Sequence, residues 1–325
     1  MDHGVPAAGE GRTVELVAAE RCRLDAFVSS ALEGLSRARA QRLIERGLVR
    51  VNGAEARKSA AVAPGDRVVV VLEPTAHAPG DPGVDLPVVY EDDLVAAVAK
   101  PAGLAVHGAP GDAGPSVAGW WLAKLGGAAG AFDAERPGIV HRLDKETSGV
   151  LLLAKTPAAQ AALSRAFEER LAKKVYLAVV DGVPAQPRAV IEAPIDRDPR
   201  DRTRMAVTSR GRPARTEYRV VASGNGRAVL EVYPETGRTH QIRVHLAAAG
   251  TPVAQDAVYG RAEPGGRQLL HALQIAVPHP AGGVLRAGAP APADLLAAIR
   301  AIAGETVASR YAAVPPATLE RGEDS

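Results

Sequence analysis

Leu24, Phe27, Val28, Ala31 and Leu32 recur at i, i+3, i+4, i+7 and i+8, a spacing that predicts an amphipathic helix over residues 24 to 33. A second helix is predicted from Ser36, a natural N-cap, to Gly47, a natural residue just past a helix end. Its Ala40, Leu43 and Ile44 can face inward, which leaves Arg39, Arg42 and Arg46 in a narrow arc of the wheel. LVRVNG (48–53) then reads as a strand entering an Asn-Gly turn, and GDRVVVVL (65–72) as the strand that closes the unit.

Residues 74–87, rich in proline and glycine and without an apolar period, are expected to be a linker. Beyond them strand-like runs dominate: LVAAVAK, GVLLLAKT, KVYLAVVDG, TEYRVVAS and AVLEVYP. Two helices are predicted among them. One covers 158–171, with Ala159, Ala162, Leu163, Ala166, Phe167 and Leu171 as its apolar face. The other is THQIRVHLAAAG, with Thr239 as N-cap, Ile242, Leu246 and Ala249 inward, and Gly250 and Pro252 as stop signals. Meandering strands with few helices imply an α+β fold with a mixed, mostly antiparallel sheet, preceded by a small α/β domain. The expected division is a flexible N-terminus at 1–15, a small domain at 16–73, the linker at 74–87, a large domain at 88–303 and a frayed tail at 304–325.

A length of 325 residues suits one good-sized core plus a smaller one. Cys22, the single cysteine, excludes an internal disulfide and any multi-cysteine zinc site, as expected in a reducing compartment. The N-terminus lacks the basic start and apolar run of a signal peptide, and no run approaches a membrane span, so a soluble cytoplasmic protein is expected. Net charge is only +2. Two segments depart from that balance, Arg37 to Lys58 and Arg197 to Arg215, each with seven basic residues against two acidic ones. Such concentrations suit contacts with a phosphate backbone, although a solvated surface is an equally good reading of either alone.

No GxxxxGK[ST] loop and no GxGxxG between a strand and a helix is present, so no nucleotide cofactor is expected. His240 and His245 are five apart and fall on different helix faces, so no metal is expected either. What remains is Asp144 in HRLDKETSG, a polar loop ahead of the apolar run VLLLAKT, and a helix start crowded with donors: Arg238, Thr239, His240, Gln241 and Arg243. A carboxylate meant to attack must stay ionised while enclosed with substrate, and a neighbouring arginine favours that form. Arg243 is the candidate neighbour. By residue types alone, a structural Asp-Arg pair pinning a loop remains open.

HRLDKETSGVLLLAKT (141–156) resembles the HRLDxxTSGxxxxAK signature of the RluA family of pseudouridine synthases. AKPAGLAVH (99–107), KVYLAVVDG (174–182) and GRTHQIRVHLAAAGTPVAQDAVYG (237–260) resemble three further family motifs in the expected order. RLDAFVSSALEGLSRARAQRLIERGLVRVNG (23–53) is similar to the small RNA-binding domain named after ribosomal protein S-four. The resemblance implies an RNA-modifying isomerase that needs no cofactor and no metal, acting on large-subunit ribosomal RNA or on transfer RNA. A catalytically silent RNA-binding assembly factor is the alternative from another class. It also implies roles: Asp144 as catalytic aspartate, Tyr176 stacking on the uracil, Arg243 paired with the aspartate, and Arg142 entering the RNA stack. Arg39, Arg42, Arg46, Arg238 and His240 are expected to bind RNA, and the basic segment 197–215 stands where the family places an RNA-gripping hairpin. Ala99 departs from the Asn or Asp usual before Lys-Pro, with an expected effect on loop packing. A monomer without membrane contact is expected.

Overall fold

The computed structural model of the chain describes residues 12–32, 35, 37–57, 60–72, 83–108, 115–132 and 137–320. In the N-terminal unit, strand β1 (Arg12–Val17) is followed by β2 (Cys22–Arg23), helices α1 (Leu24–Ala31) and α2 (Arg37–Glu45), then β3 (Val49–Val51), β4 (Ala54–Glu55), β5 (Ala61–Val62) and β6 (Arg67–Leu72). Asn52 and Gly53 both take positive φ, 51° and 82°, as a tight hairpin turn requires. The four-stranded sheet runs β1-β6-β3-β4, and Val68 and Val70 of β6 alternate inward against Leu24, Val28, Ala40, Leu43 and Ile44 of the helices. Helix α2 ends as expected at Gly47 (φ 72°), whereas the expected N-cap Ser36 and the Arg39 side chain lie outside the described residues.

Of the expected linker, 74–82 lies outside the described residues, and Val84 and Leu86 already pack on the larger core. That core begins with β7 (Val88–Glu91) and β8 (Val95–Lys100), continues through α3 (Val117–Leu125), β9 (Ser148–Ala154), α4 (Pro157–Glu168) and β10 (Lys173–Asp181). There follow β11 (Arg188–Glu192), β12 (Ile195–Arg197), β13 (Met205–Val207), β14 (Arg215–Gly224), β15 (Arg227–Pro234), α5 (Gln241–Ala248), β16 (Leu270–Pro278), β17 (Val284–Gly288), α6 (Ala293–Ala303), α7 (Glu305–Ala312) and β18 (Thr318–Glu320). The large sheet has the order β11-β14-β15-β10-β16-β9-β8-β7, with β17 and β18 added beside β16. Its pairings are antiparallel except β9 with β16, where Ser148 meets His271 and Gly149 meets Ala272. The fold is therefore the mixed, mostly antiparallel α+β arrangement expected from the sequence.

The two-residue period of β10 sorts the layers. Leu177 and Val179 pack with α6 and α7, whereas Ala178 and Val180 pack with Ile242 and Leu246 of α5. Lys174 and Tyr176, in phase with Ala178, thus lie on the α5 side of the sheet. The segment 197–215 contributes to a hairpin, β12 with β13.

Several expectations need correction. Thr239 is not the N-cap of α5: His240 holds that position at φ 56° with no side-chain cap, and the Gln241 Oε1 atom accepts the Arg238 N–H instead. Ala249 is exposed beyond the end of α5, and Leu171, with 48 % exposure, lies beyond α4, because both helices stop before those positions. Ala162 is exposed as well. Residues 304–320 are packed rather than frayed: Ala308 and Tyr311 of α7 are buried, and β18 pairs with β17, while 321–325 lie outside the described residues. Residues 12–15, expected to be flexible, lie in β1. Helices α3, α6 and α7 add to the two helices expected in this unit. In α6 only Leu295 and Ile299 are buried, one turn apart among alanines, which gives the helix little hydrophobic contrast to read.

Candidate active site

Every residue of β9 is buried, and the loop that carries Asp144 is its polar approach. Gly149 takes φ 125°, and a β-carbon there would meet the Ala272 carbonyl oxygen at 2.3 Å. Only glycine allows β16 this close, which explains the Gly in HRLDKETSG. The loop is stitched from several directions. Lys100 Nζ donates to the carbonyls of Pro101, Leu104 and Lys145, at 2.7, 2.9 and 3.0 Å. Burial pulls its pKa down to about 8, against the opposing charges of Glu146 and Asp144. Gln268 donates to Thr147 Oγ1 at 2.7 Å, Ser148 Oγ meets His271 Nδ1 at 2.9 Å, and the Thr147 N–H closes a turn on the Asp144 carbonyl at 3.0 Å. His141 is structural as well: its Nε2 accepts the Leu152 N–H at 2.9 Å and its ring stacks on Phe167. Burial, then repulsion from Lys174, lowers its pKa to about 3, so the ring is neutral at pH 7. Ala99, the departure from the family pattern, sits in β8 and donates its N–H to the Pro87 carbonyl.

Asp144 faces the N-terminal turn of α5. Arg243 Nη1 donates to Asp144 Oδ2 at 3.0 Å, while its Nε and Nη2 form a two-point bond with Asp256 at 2.7 and 2.9 Å. Asp256 is fully buried and also accepts the N–H groups of Val258 and Tyr259. Burial opposes the charge on both partners, but the hydrogen bonds and opposite charge between them prevail: Arg243 is raised and Asp256 lowered. One guanidinium therefore spans a buried carboxylate and the more open Asp144, whose side chain is 19 % exposed. His240 Nε2 lies 4.0 Å from Asp144 Oδ2, its Nδ1 meets the Tyr259 hydroxyl at 2.9 Å, and burial lowers its pKa. Gln241 fixes the turn by donating to the Arg215 carbonyl and to Thr216 Oγ1. His245 faces away, bonded to Thr216 and the Ala193 carbonyl, as its five-residue offset from His240 suggests.

These groups surround a cleft of about 980 Å³. Asp144, Arg243, Tyr176, Arg142, Arg238 and His240 all line it, so six sequence candidates come together from segments far apart in the chain. Tyr176 has its pKa raised by burial and then by the Asp144 charge, so it stays a neutral ring. Lys174, two residues earlier, donates to the Thr236 carbonyl at 3.2 Å, and burial lowers its pKa to about 8. Arg42 of α2 and Arg46 just past its end are not among the lining residues, although Ser29 and Leu35 of the N-terminal unit border the cleft. In that unit Arg23 and Arg37 donate to the buried Asp25. The sequence reading missed Asp256, Lys174 and Lys100. Asp256 is the one with a signal: it is an acid within the motif 237–260, thirteen residues after the arginine it grips.

The arrangement brings a carboxylate and a planar ring into one cleft rimmed by arginine, which fits a nucleobase on a polyanionic strand. Residues 95–248 match the RNA pseudouridylate synthase family, and residues 22–68 match the S4 domain. An RNA pseudouridine synthase of Chloroflexus aurantiacus, described as uncharacterized, is 42 % identical over 316 residues, covering 90 % of this chain and 97 % of that one. Ribosomal large subunit pseudouridine synthase D of Nitrosomonas europaea is 40 % identical over 311 residues, covering 89 % and 88 %. Among solved structures, human RNA pseudouridylate synthase domain containing 1 superposes with a TM-score of 0.53 at 27 % identity, over 63 % of this chain and 83 % of that one. With relatives this similar along nearly their whole length, the chain belongs to the RNA pseudouridine synthase family.

Proposed function

We propose that this chain converts uridine to pseudouridine in large-subunit ribosomal RNA, with Asp144 acting on the target nucleotide. The observation that carries the reading is the half-open aspartate: Arg243 engages one Asp144 oxygen at the floor of a cleft that Tyr176 shares. The S4 match and the relatives named for the ribosomal large subunit support that RNA as target.

The isomerisation exchanges the bond from sugar C1′ to uracil N1 for one from C1′ to C5. The C5 proton leaves, N1 gains one, and the composition is unchanged. A base must first leave the stack, which costs a few kcal/mol and less in an unpaired loop. Tyr176 replaces the lost stacking, worth about 1–3 kcal/mol. Arg142, exposed at the cleft edge, fills the place the base has left. Asp144 opens the reaction by attacking the sugar or by removing a sugar proton, and Arg243 holds it with the remaining oxygen towards the cleft. Asp256 keeps the guanidinium plane in register for that contact. His240 and Arg238 face the same space and bind the strand, with Arg39, Arg42, Arg46 and the β12–β13 hairpin gripping RNA outside it. The protein acts as a monomer.

The test is pseudouridine mapping on ribosomal and transfer RNA from cells with the gene intact, deleted, or carrying Asp144→Asn. The expected result is a large-subunit ribosomal site lost in both altered strains. A site lost only from transfer RNA overturns the target, and no lost site overturns the assignment of Asp144 in cells.

A further inference from the structure

Four helix ends in the described residues leave the helix through a glycine at positive φ: Gly47 after α2, Gly126 after α3, Gly250 after α5 and Gly304 after α6. Such positions favour glycine because a β-carbon is strained there. Helix α4 breaks the pattern. Its chain turns through Arg170 at φ 62°, with the Arg170 N–H on the Phe167 carbonyl and the Leu171 N–H on the Ala166 carbonyl. Nothing in that turn uses the arginine side chain, since both bonds are made by the backbone. A strained conformation kept where glycine would serve points to work done by the side chain.

Arg170 lines the active-site cleft, and so do Arg212, near the exit of the β12–β13 hairpin, and Arg238, ahead of α5. Arg238 Nε donates to the Pro213 carbonyl at 3.2 Å, and among the described residues no carboxylate forms an ion pair with any of the three. Glu235, which also lines the cleft, is engaged by Arg215. Arg238 has its pKa lowered, first by burial and then by the charges of Arg212 and Arg170, so its guanidinium lies within reach of both their charges. Like charges gathered without a counter-ion at a cleft mouth favour an anion there.

We propose that Arg170, Arg212 and Arg238 form a binding site for the RNA backbone phosphates beside the target nucleotide, and that Arg170 is kept for this contact at the expense of the helix end. The inference rests on the reading of RNA as substrate. It adds to that reading a phosphate subsite built from three chain segments.

The variant Arg170→Gly separates the roles, because glycine accepts the backbone conformation and retains both backbone bonds. Melting temperature and affinity for a uridine-containing RNA stem-loop would be measured on the full chain at several salt concentrations. The expected result has opposite signs: a higher melting temperature than wild type, with weaker RNA binding. The slope of log affinity against log salt should fall in magnitude by about 0.7–0.9, so the deficit shrinks by about threefold between roughly 50 and 200 mM salt. Arg170→Lys, which keeps the charge, should keep the slope. An unchanged slope in Arg170→Gly overturns the proposal, and so does a lowered melting temperature, which would make the side chain a structural one. Pseudouridine formation by the wild-type protein is followed in parallel. Its absence would count against the functional reading, while the salt slope still decides the phosphate site.

Discussion

Asp25 and Asp144 are both aspartates gripped by arginine, and they are used in opposite ways. Asp25, in the N-terminal unit, is fully buried and accepts from Arg23, Arg37, Gln41 and the Ala26 N–H. Both its oxygens are engaged, and the hydrogen bond from Arg23, ahead of the other contacts, holds its pKa well below the usual carboxylate range. Asp144 keeps a partly open side chain, and Arg243 is the one side-chain hydrogen-bond donor that the described residues give it. The difference teaches that an Asp-Arg pair is structural when its donors saturate the carboxylate. It leaves the carboxylate open to a further partner when the arginine is anchored elsewhere, here on Asp256, and lends a single N–H.

The largest effect expected from this contrast is at Asp144. Asp144→Asn should retain RNA binding but lower pseudouridine formation to below about a thousandth of wild type, as measured by product per turnover on saturating RNA. Appreciable product would return Asp144 to the class of Asp25. Next is Asp256→Asn, which removes the anchor without touching Asp144. A guanidinium free to shift by about 1 Å should lower the rate by roughly a hundredfold, and loss of the two-point buried pair, which leaves Arg243 with Asp144 as its carboxylate partner, should reduce stability by about 3 kcal/mol. Near-normal turnover at reduced stability would show that Asp256 supports the fold and not the orientation.

Acid should separate the two regions. His271, beneath the Asp144 loop, has its pKa lowered to about 4 by burial from an ordinary 6.5, so the unfolded chain takes up a proton first. The stability it contributes is present above pH 6.5 and is lost as pH falls towards 4, about 3 kcal/mol at most. His141 adds loss in the same direction. Asp25 has linkage of the same sign in a lower window: its stabilisation persists down to the ordinary carboxylate value of 3.8 and is lost only below it. Hydrogen exchange at pH 4.5 against pH 7 should therefore loosen β9 and β16 before α1 and α2. Equal loosening would break the contrast. The smallest effect is Asp25→Asn, about 1–2 kcal/mol by thermal melting, because Arg23 and Arg37 are more than half exposed and water can replace their contacts.

Local patterns carried far in this chain. The loop before β9, the Asn-Gly turn and the glycine stops of α2 and α5 depend on a few neighbouring residues, so the sequence was enough to place them. The same locality misled at Thr239, where a plausible N-cap lost to Gln241, whose partners on β14 are 25 residues and more away. It misled again beyond residue 303, where α7 is held by burial of Ala308 and Tyr311 and by the hydrogen bond from Tyr311 to Glu231.

By itself the sequence determined the family motifs, their order, and a carboxylate set in a polar loop ahead of a buried strand. Tertiary structure decided which arginine serves which acid. Arg243 is 99 residues from Asp144 and 13 from Asp256, and neither spacing follows a helix or strand period. The contact exists because β9 and β16 pair in parallel at Gly149, bringing the Asp144 loop to the sheet face that α5 covers. Periodicity reports which way a side chain points from its own element. Which charges then meet is set by the packing of elements against one another, a property of the folded chain as a whole.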